Sequence, residues 1–253
     1  MDPVIEKPPS EAIVLAGGLG TRLRSLVADR PKPMAEVAGQ PFLAHLLRYW
    51  YREGIRKFYI STGYLGDIIS DYFGNKFEGA RLEYVREPAA LGTGGGLMFT
   101  YQTFSSEKPI LILNGDTFFP VDLSSLHRHA VAKNADWCLS LFLSEDFERY
   151  LPVYNSEEGQ LEFARAREKG KTDSRSVVNG GVYWVRPDVL DVFRNDVGKR
   201  LSLETELIPR SKASGHRFFG LLSDATFIDI GLPEDYKRAQ NLSCFADNQV
   251  FRI

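Results

Sequence analysis

The residues with the clearest chemical potential form a glycine-rich turn near the start of the chain, followed by two cations. Gly17, Gly18 and Gly20 come after a short apolar segment, and Arg22 and Lys32 follow them. Glycine has no Cβ and accepts positive φ, so the backbone N–H groups of such a turn can approach a phosphate chain closely. A guanidinium can fork onto phosphate oxygens, and an ammonium acts as a compact point charge. We interpret the turn and its cations as a polyphosphate cradle.

Two familiar phosphate-binding loops do not fit this turn. A P-loop requires a lysine directly after its last glycine, and none follows here. The dinucleotide fingerprint requires a small residue at its last position for close helix packing, and Leu23 stands there. A structural strand-to-helix turn is the remaining alternative, although it would require neither Arg22 nor Lys32.

Two aspartates at the ends of apolar segments are candidates for a metal site. Asp116 follows the apolar run 109–113, and Asp229 lies in the sequence Phe-Ile-Asp-Ile-Gly. Mg²⁺ prefers oxygen ligands and usually keeps waters and phosphate oxygens in its shell, so two carboxylates suit one ion beside a polyphosphate. We therefore predict Mg²⁺ as a cofactor held by Asp116 and Asp229. A turn or capping aspartate is the structural alternative for Asp116, and a structural strand edge for Asp229.

Alternating strands and helices must position these groups in the first half of the chain. The predicted strands are 12–16, 57–62, 81–85 and 109–113. The predicted helices are 42–53, 68–73 and 123–134, the last with Asp122 as its N-cap. This alternation is typical of an α/β, Rossmann-like, doubly wound and mainly parallel sheet. Ligands of such sheets bind beyond the carboxyl ends of the strands, where the glycine turn and Asp116 both fall.

The second half of the chain has more predicted strands and fewer helices. The strands are 137–143, 153–154, 161–167, 177–185, 218–222 and 226–230. A short helix is predicted at 203–208 and a closing helix at 233–242, with a proline in its first turn. We interpret these strands as a substrate-facing, lid-like part of mixed strand direction within one domain.

Composition excludes several classes of partner. The 253 residues include 31 Lys and Arg and 33 Asp and Glu, so the charges nearly balance. We therefore expect no surface for binding nucleic acid or an anionic membrane. Cys138 and Cys244 lie far apart and are interpreted as buried thiols, without a zinc site or a disulfide. No run approaches the roughly 20 apolar residues of a membrane span. The N-terminus lacks the apolar core of a signal peptide, so we expect a cytoplasmic protein without membrane insertion.

The run LAGGLGTRLRSLVADRPKPMAEVAGQPF closely resembles the opening of the sugar-1-phosphate nucleotidyltransferases. Their pattern is G-G-x-G-T-R-L, a spacer, P-K-P-M and V-x-G-x-P. The resemblance implies the nucleotide-diphospho-sugar transferase type of the α/β fold. It also implies that an oxygen of a sugar 1-phosphate attacks the α-phosphorus of a nucleoside triphosphate in line, with release of pyrophosphate. The attacking oxygen is already an anion, so catalysis would rest on positioning and charge neutralisation.

The resemblance implies roles for several residues of the opening run and for the two candidate metal-binding aspartates. Arg22 would hold the departing β- and γ-phosphates, and Lys32 would neutralise the α-phosphate together with Mg²⁺. Asp116 and Asp229 match the places of the metal-binding aspartates of the family. The other nucleotide-binding residues implied by the resemblance are Leu15, Ala16, Gly17, Gly18, Gly20 and Thr21.

Base selection is expected in the second glycine-rich loop, 86–96. Leu91, Gly92 and Thr93 resemble the L-G-T element of the family, whose backbone can hydrogen-bond a base edge. The Glu87 carboxylate can accept both N1–H and N2–H of guanine and would repel the carbonyls of uracil or thymine. A surface glutamate before a proline is the structural alternative for Glu87.

Contacts to the sugar phosphate are expected mainly from the second half. Glu168 and Lys169 resemble the Glu-Lys step of the family, in which the glutamate meets sugar hydroxyls and the lysine meets the phosphate. Asn179 and Gly181 lie in a run that resembles the glycine-containing strand beneath the sugar, and Asn114 is assigned to the same subsite. An exposed charge pair and a turn-capping asparagine are the structural alternatives.

The domain organisation expected from this resemblance is one catalytic domain after a short tail. The tail covers 1–10 and the domain 11–253. Within the domain, about 11–135 would bind the nucleotide, about 136–232 the sugar phosphate, and about 233–245 would form the closing helix.

Further details resemble one branch, the D-glycero-D-manno-heptose 1-phosphate guanylyltransferases. The runs that carry this resemblance are LGTGGG, NGGVY and FIDIGLPEDYKRAQ. The branch implies GTP and a heptose 1-phosphate as substrates, with GDP-heptose supplied to lipopolysaccharide or capsule synthesis. Mannose- and glucose-1-phosphate nucleotidyltransferases using GTP, CTP or dTTP stay as alternatives, as does a catalytically inactive sugar-nucleotide sensor. A glycosyltransferase would normally show a D-x-D motif, which is absent here. The oligomeric state stays open, with a homodimer as one option.

Overall fold

The computed structural model describes residues 7–18, 29–104, 107–145, 152–156, 159–163, 176–231, 233–242 and 245. Its strands are β1 (Glu11–Ala16), β2 (Glu36–Val37), β3 (Gln40–Pro41), β4 (Lys57–Thr62), β5 (Lys76–Phe77), β6 (Ala80–Arg86), β7 (Ile110–Asn114), β8 (Thr117–Phe118), β9 (Trp137–Ser144), β10 (Val153–Asn155), β11 (Leu161–Phe163), β12 (Ser176–Val185), β13 (Phe218–Leu222) and β14 (Ile228–Asp229). Its α-helices are α1 (Phe42–Arg52), α2 (Gly66–Phe73), α3 (Gly92–Tyr101), α4 (Leu123–Ala132), α5 (Pro187–Asp191), α6 (Ile208–Ala213) and α7 (Pro233–Ala239). Short 3₁₀ turns cover Lys32–Met34 and Arg194–Asp196, and a π-helix over Leu203–Leu207 leads into α6.

A mixed, mainly parallel sheet of eight described strands forms the centre of the molecule. The strand order is β13-β9-β12-β7-β1-β4-β6-β5. The pairs β7–β1, β1–β4, β4–β6 and β9–β13 are parallel. Both pairings of β12 and the β5–β6 pairing are antiparallel, so β12 and β5 run against the other strands. The predicted α/β fold with a doubly wound, mainly parallel sheet is confirmed.

The strand order changes direction between β1 and β7. From β1 the chain adds β4 and β6 on one side and then returns to place β7 on the other side of β1. The connections that follow β1 and β7 therefore lead toward opposite edges of the sheet, and open α/β sheets bind ligands at such a point. Gly17 and Gly18 follow β1 directly, and Gly115 and Asp116 follow β7. The switch point thus brings the glycine turn and the first candidate metal ligand together.

Two hydrophobic clusters cover the two faces of this sheet. On β1, Ala12 and Val14 belong to one cluster and Ile13 to the other, as the alternation of side chains along a strand requires. The first cluster includes residues of α1, α2 and α4, and the second includes residues of α3, α5 and α6. Trp50 of α1 is fully buried in the first cluster. Burial on both faces explains why β1 and β7 read as nearly continuous apolar runs.

Most predicted elements are confirmed with small shifts at their ends. Asp122 caps α4 by accepting a hydrogen bond from the backbone N–H of Ser125, as predicted. The glycines after Leu91 do not continue a loop, because α3 begins at Gly92. The predicted helix near 203 is a π-helix that leads into α6. Among the described helices, none is both long and apolar enough to cross a bilayer.

The second half differs from the sequence interpretation in two respects. Strands β9, β12 and β13 belong to the central sheet, while β10 and β11 pair with each other. The strand predicted at 226–230 is reduced to the two residues of β14, which pair with β8. Both differences arise from strand pairing between distant segments, which a local pattern does not specify. Cys138 is buried as predicted, while Cys244 lies outside the described residues.

Candidate active site

The ends of β1 and β7 are joined by backbone contacts. Leu15 pairs with Asn114 in the parallel ladder, and the Gly115 N–H donates to the Leu15 carbonyl over 2.9 Å. A Cβ at Gly115 would lie 2.7 Å from that carbonyl oxygen. The two turns that follow these strands therefore lie side by side. Of the predicted nucleotide-binding residues, Leu15 and Ala16 end β1, and Gly17 and Gly18 follow it.

Part of the predicted phosphate cradle lies outside the described residues. Gly20, Thr21 and Arg22 fall within 19–28. Their assignment to the phosphates of the nucleotide stays a prediction.

Lys32 connects the two candidate metal ligands. Its Nζ lies 2.6 Å from Asp116 Oδ2 and 3.7 Å from Asp229 Oδ1. The β8–β14 pairing sets Asp229 opposite Thr117, the neighbour of Asp116, and the Ile230 N–H donates to the Asp116 carbonyl over 3.1 Å. Sequence-distant aspartates are thus brought to one place, as the sequence predicts, and the ammonium lies against both.

This carboxylate pair has the chemistry that Mg²⁺ requires. Asp229 is held by a hydrogen bond from the Gly231 N–H, and the Asp116 side chain is 40% exposed. Two carboxylates face a single ammonium, so the cluster keeps a net negative charge that attracts a further cation. Among the described residues no group of three or more His, Cys, Asp and Glu could hold a metal. The pair therefore fits an ion that completes its shell with water and phosphate oxygens, and not a fully protein-ligated one.

Glu87 is buried against the first glycine turn, not exposed at the surface. Only 8% of the residue is accessible. Its Oε1 accepts a hydrogen bond from Ser61 Oγ at 2.8 Å, and its Oε2 accepts one from the Leu91 N–H at 3.2 Å. A Cβ at Gly17 would clash with Oε1, so only glycine allows the carboxylate this close to the turn. Burial raises the pKa of Glu87, and the two hydrogen bonds oppose that rise.

The Leu-Gly-Thr element packs against the segment that precedes the π-helix. Gly92 has a φ of +74°, and a Cβ there would lie 2.6 Å from the Leu201 carbonyl oxygen. The Leu91 carbonyl accepts from the Leu201 N–H at 2.8 Å. Thr93 Oγ1 donates to Glu204 Oε2 at 3.0 Å and accepts from the Leu203 N–H at 2.8 Å. The N–H and C=O groups of Leu91 thus already have protein partners. A base that binds here would therefore have to use other backbone atoms of the loop.

The sugar-phosphate residues that the structure describes lie together. Asn179 is buried beside a bulge of β12, where its Oδ1 accepts from the Gly181 N–H at 3.1 Å. A Cβ at Gly181 would lie 2.9 Å from Asn114 Nδ2, so the end of β7 and the middle of β12 bring these three residues into one group. Glu168 and Lys169 lie in 164–175, outside the described residues.

The chain matches the family described as nucleotidyl transferase over residues 11–244. The chain belongs to this family. This nucleotidyl transferase is 38% identical over 230 residues to the D-glycero-alpha-D-manno-heptose 1-phosphate guanylyltransferase of Aneurinibacillus thermoaerophilus, covering 91% of this chain and 96% of that protein. It is 36% identical over 226 residues to the protein of the same name from Campylobacter jejuni, covering 89% and 96%.

A solved structure agrees with these sequence relatives. HddC from Yersinia pseudotuberculosis, crystallised with GMP-PN, aligns with this nucleotidyl transferase at a TM-score of 0.76 and 28% identity. The alignment covers 92% of this chain and 98% of that one. The predicted resemblance to the nucleotidyltransferases is therefore confirmed at the level of sequence and of fold.

Three polar residues near the candidate site were not predicted from the sequence of this nucleotidyl transferase. Ser61 holds Glu87, while Tyr183 and Glu204 connect the second glycine-rich loop, 86–96 (the base loop), to β12. The Tyr183 hydroxyl accepts from Asn179 Nδ2 at 2.7 Å and donates to Glu204 Oε1 at 3.3 Å. Burial raises the pKa of Tyr183 well above its usual value, so the hydroxyl keeps its proton and can donate. No sequence signal marks these residues, because each acquires its partner only through tertiary packing.

Proposed function

We propose that the chain transfers the GMP moiety of GTP to D-glycero-D-manno-heptose 1-phosphate, giving GDP-heptose and pyrophosphate. A phosphate oxygen of the sugar attacks the α-phosphorus, and the bond from that phosphorus to the α,β-bridging oxygen breaks. The observation that carries this reaction is the Lys32–Asp116–Asp229 cluster at the switch point of the sheet. The heptose is supported by the two relatives named for that substrate.

The residues of the cluster supply charge neutralisation. Lys32 is 13% exposed, so its ammonium acts with less solvent screening than a surface lysine would. We assign it to the α-phosphate, where charge develops during in-line attack. Mg²⁺, held by Asp116 and Asp229, would neutralise phosphate charge at the same place. Arg22 is assigned to the departing phosphates on its place in the motif.

Guanine selection is assigned to Glu87. Its two carboxylate oxygens each accept one hydrogen bond from the protein, and a carboxylate oxygen has about two lone-pair sites. One site on each oxygen therefore remains for the N1–H and N2–H donors of guanine. The Leu91–Thr93 element supports this side of the pocket, and Asn114, Asn179 and Gly181 are assigned to the sugar.

The cellular location and the oligomeric state of the protein also belong to the proposed function. Nucleoside triphosphates are cytoplasmic metabolites, so we place the reaction in the cytoplasm, ahead of lipopolysaccharide or capsule assembly. The oligomeric state stays open with a homodimer as one option, and light scattering after gel filtration measures it directly.

The experiment that tests the function is pyrophosphate release with Mg²⁺. Each of GTP, CTP, UTP, dTTP and ATP is paired with heptose, mannose and glucose 1-phosphates. We expect turnover with GTP and the heptose phosphate well above every other pair. A preference for mannose or glucose 1-phosphate would support nucleotidyl transfer as the reaction but would contradict the heptose phosphate as the acceptor. Folded protein that binds a nucleotide without turnover on any pair would identify a sugar-nucleotide sensor instead.

A further inference from the structure

Ser61 has no place in the reaction described so far, yet it is completely buried beside the base loop. It lies at the fifth position of β4, where it pairs with Val85 of β6. Its hydroxyl donates to Glu87 Oε1 at 2.8 Å. A serine hydroxyl in a fully apolar site would lose its hydrogen bonds to water, so this contact also satisfies Ser61 itself.

The Glu87 carboxylate is enclosed by three separate parts of the backbone. The Leu91 N–H binds Oε2 from the loop that precedes α3. A Cβ at Gly96 of α3 would lie 2.7 Å from Oε1 and 3.1 Å from Ser61 Oγ. Gly17 also lies against Oε1, since a Cβ there would clash with that oxygen. The donors from Ser61 and Leu91 reach different oxygens, so together they fix the plane of the carboxylate and not only its position.

We propose that Ser61 is a positioning residue for base selection, because it orients the Glu87 carboxylate to accept two parallel N–H donors from a purine edge. This inference rests on the proposed guanine recognition by Glu87. Two donors accepted side by side require a carboxylate that is ionised and held in one plane. Ser61 supports both conditions, since its hydrogen bond stabilises the charged form and restrains rotation about the last side-chain bond.

The test compares GTP with inosine triphosphate, which lacks the N2 amino group and keeps N1–H. The quantity measured is the ratio of kcat/KM for the two nucleotides with heptose 1-phosphate. Losing a hydrogen bond to a charged group costs about tenfold or more, so Glu87→Gln should lower this ratio by about that factor. Ser61→Ala should lower it by several-fold, and Ser61→Cys, a weaker donor, by less.

Ser140→Ala is the matched control. Ser140 is also fully buried on a strand of the central sheet, and its Oγ has no hydrogen-bond partner among the described residues. The substitution therefore removes the same atom from a comparable site without touching Glu87, and the nucleotide ratio should stay at the wild-type value. Circular dichroism confirms folding, and Ser61→Cys provides the measurement if Ser61→Ala does not fold.

The double variant separates positioning from general damage. In a Glu87→Gln background, Ser61→Ala should leave the ratio unchanged, because the group through which it acts has already lost one acceptor. An equal loss in both backgrounds would overturn the inference, and so would a Ser61→Ala ratio equal to that of Ser140→Ala. If Glu87→Gln itself keeps the wild-type ratio, the guanine assignment in the proposed function fails as well.

Discussion

Lys32 is the residue on which the candidate chemistry depends most directly. The 3₁₀ turn over Lys32–Met34 places its ammonium against Asp116 and Asp229. The same ammonium therefore balances two carboxylates in the absence of substrate and is close to the proposed phosphate site. Replacing Lys32 should therefore change two measurable quantities, the rate of turnover and the affinity of the aspartates for a metal ion.

We expect Lys32→Ala to lower kcat on the order of 10²–10³, because a preorganised charge facing the developing transition state is lost. The fold should persist, since the Asp116 side chain is 40% exposed and water can solvate the carboxylate that loses the ammonium. Mg²⁺ should raise the Tm of Lys32→Ala more than that of the wild type, as the aspartates lose their competing cation. Steady-state pyrophosphate release and thermal scans with and without Mg²⁺ measure both effects, with Lys32→Arg as the charge-preserving control. Near-wild-type turnover would remove Lys32 from the mechanism.

The glycine turn offers a matched pair of substitutions. A Cβ at Gly17 would clash with Glu87 Oε1, whereas a Cβ at Gly18 meets no heavy atom within 4 Å among the described residues. We expect Gly17→Ala to destabilise the protein by about 1–3 kcal/mol, the usual cost of overpacking. Gly18→Ala should leave the free energy of unfolding near the wild-type value. Urea unfolding measures the free energy of unfolding of both variants. Equal values would show that Glu87 can move aside at no cost.

At the level of elements, the base loop is joined to the π-helix. Thr93 at the start of α3 bonds both Glu204 and the Leu203 N–H, and the Leu201 N–H donates to the Leu91 carbonyl. Glu204 in turn contacts Tyr183 on β12, which bonds Asn179. A continuous chain of contacts therefore connects the proposed base and sugar subsites.

We expect Thr93→Val to destabilise the protein by about 1 kcal/mol per hydrogen bond lost, because valine keeps the shape and removes the hydroxyl. Thr93→Ser retains the hydroxyl and is the control. Chemical denaturation of both variants measures the difference. If valine and serine are equally stable, the contacts of Thr93 with Leu203 and Glu204 contribute nothing to the attachment of this loop.

At the scale of the whole molecule, the buried imidazole of His45 should make the free energy of unfolding depend on pH. His45 is 5% exposed, and burial lowers its pKa below 6.5, although a hydrogen bond to the Val37 carbonyl opposes the shift. The folded state therefore binds this proton less readily than the unfolded state does. The stabilisation is complete above pH 6.5 and is lost as the pH falls through the folded pKa.

The measurement is the Tm of the wild type and of His45→Gln between about pH 8 and about pH 5. Gln keeps a donor for the Val37 carbonyl and does not titrate, so its Tm should fall less on acidification. Burial raises the pKa of Glu53 and Glu87, and their contribution has the opposite sign, with stability lost as the pH rises. That contribution is common to both proteins and cancels in the comparison. Parallel curves for the two proteins would contradict the role of His45.

The sequence by itself determined the class of fold and the family, and it predicted which polar residues follow the strands. Apolar runs such as 109–113 are long enough and uniform enough to specify buried strands, and the opening motif is contiguous, so its family could be recognised without any distant contact. The pairing of Asp116 with Asp229 was also predictable, since both follow apolar segments and carboxylates suit one ion.

Only the tertiary structure decided how the strands are ordered and what each polar side chain contacts. That β9, β12 and β13 extend the central sheet depends on pairing between segments far apart in the chain. Ser61 reaches Glu87 from a neighbouring strand, and Glu204 reaches Thr93 and Tyr183 from a helix of the second half. Such contacts arise from the packing of whole elements, and a hydroxyl or a carboxylate within a local pattern carries no information about the partner it will meet.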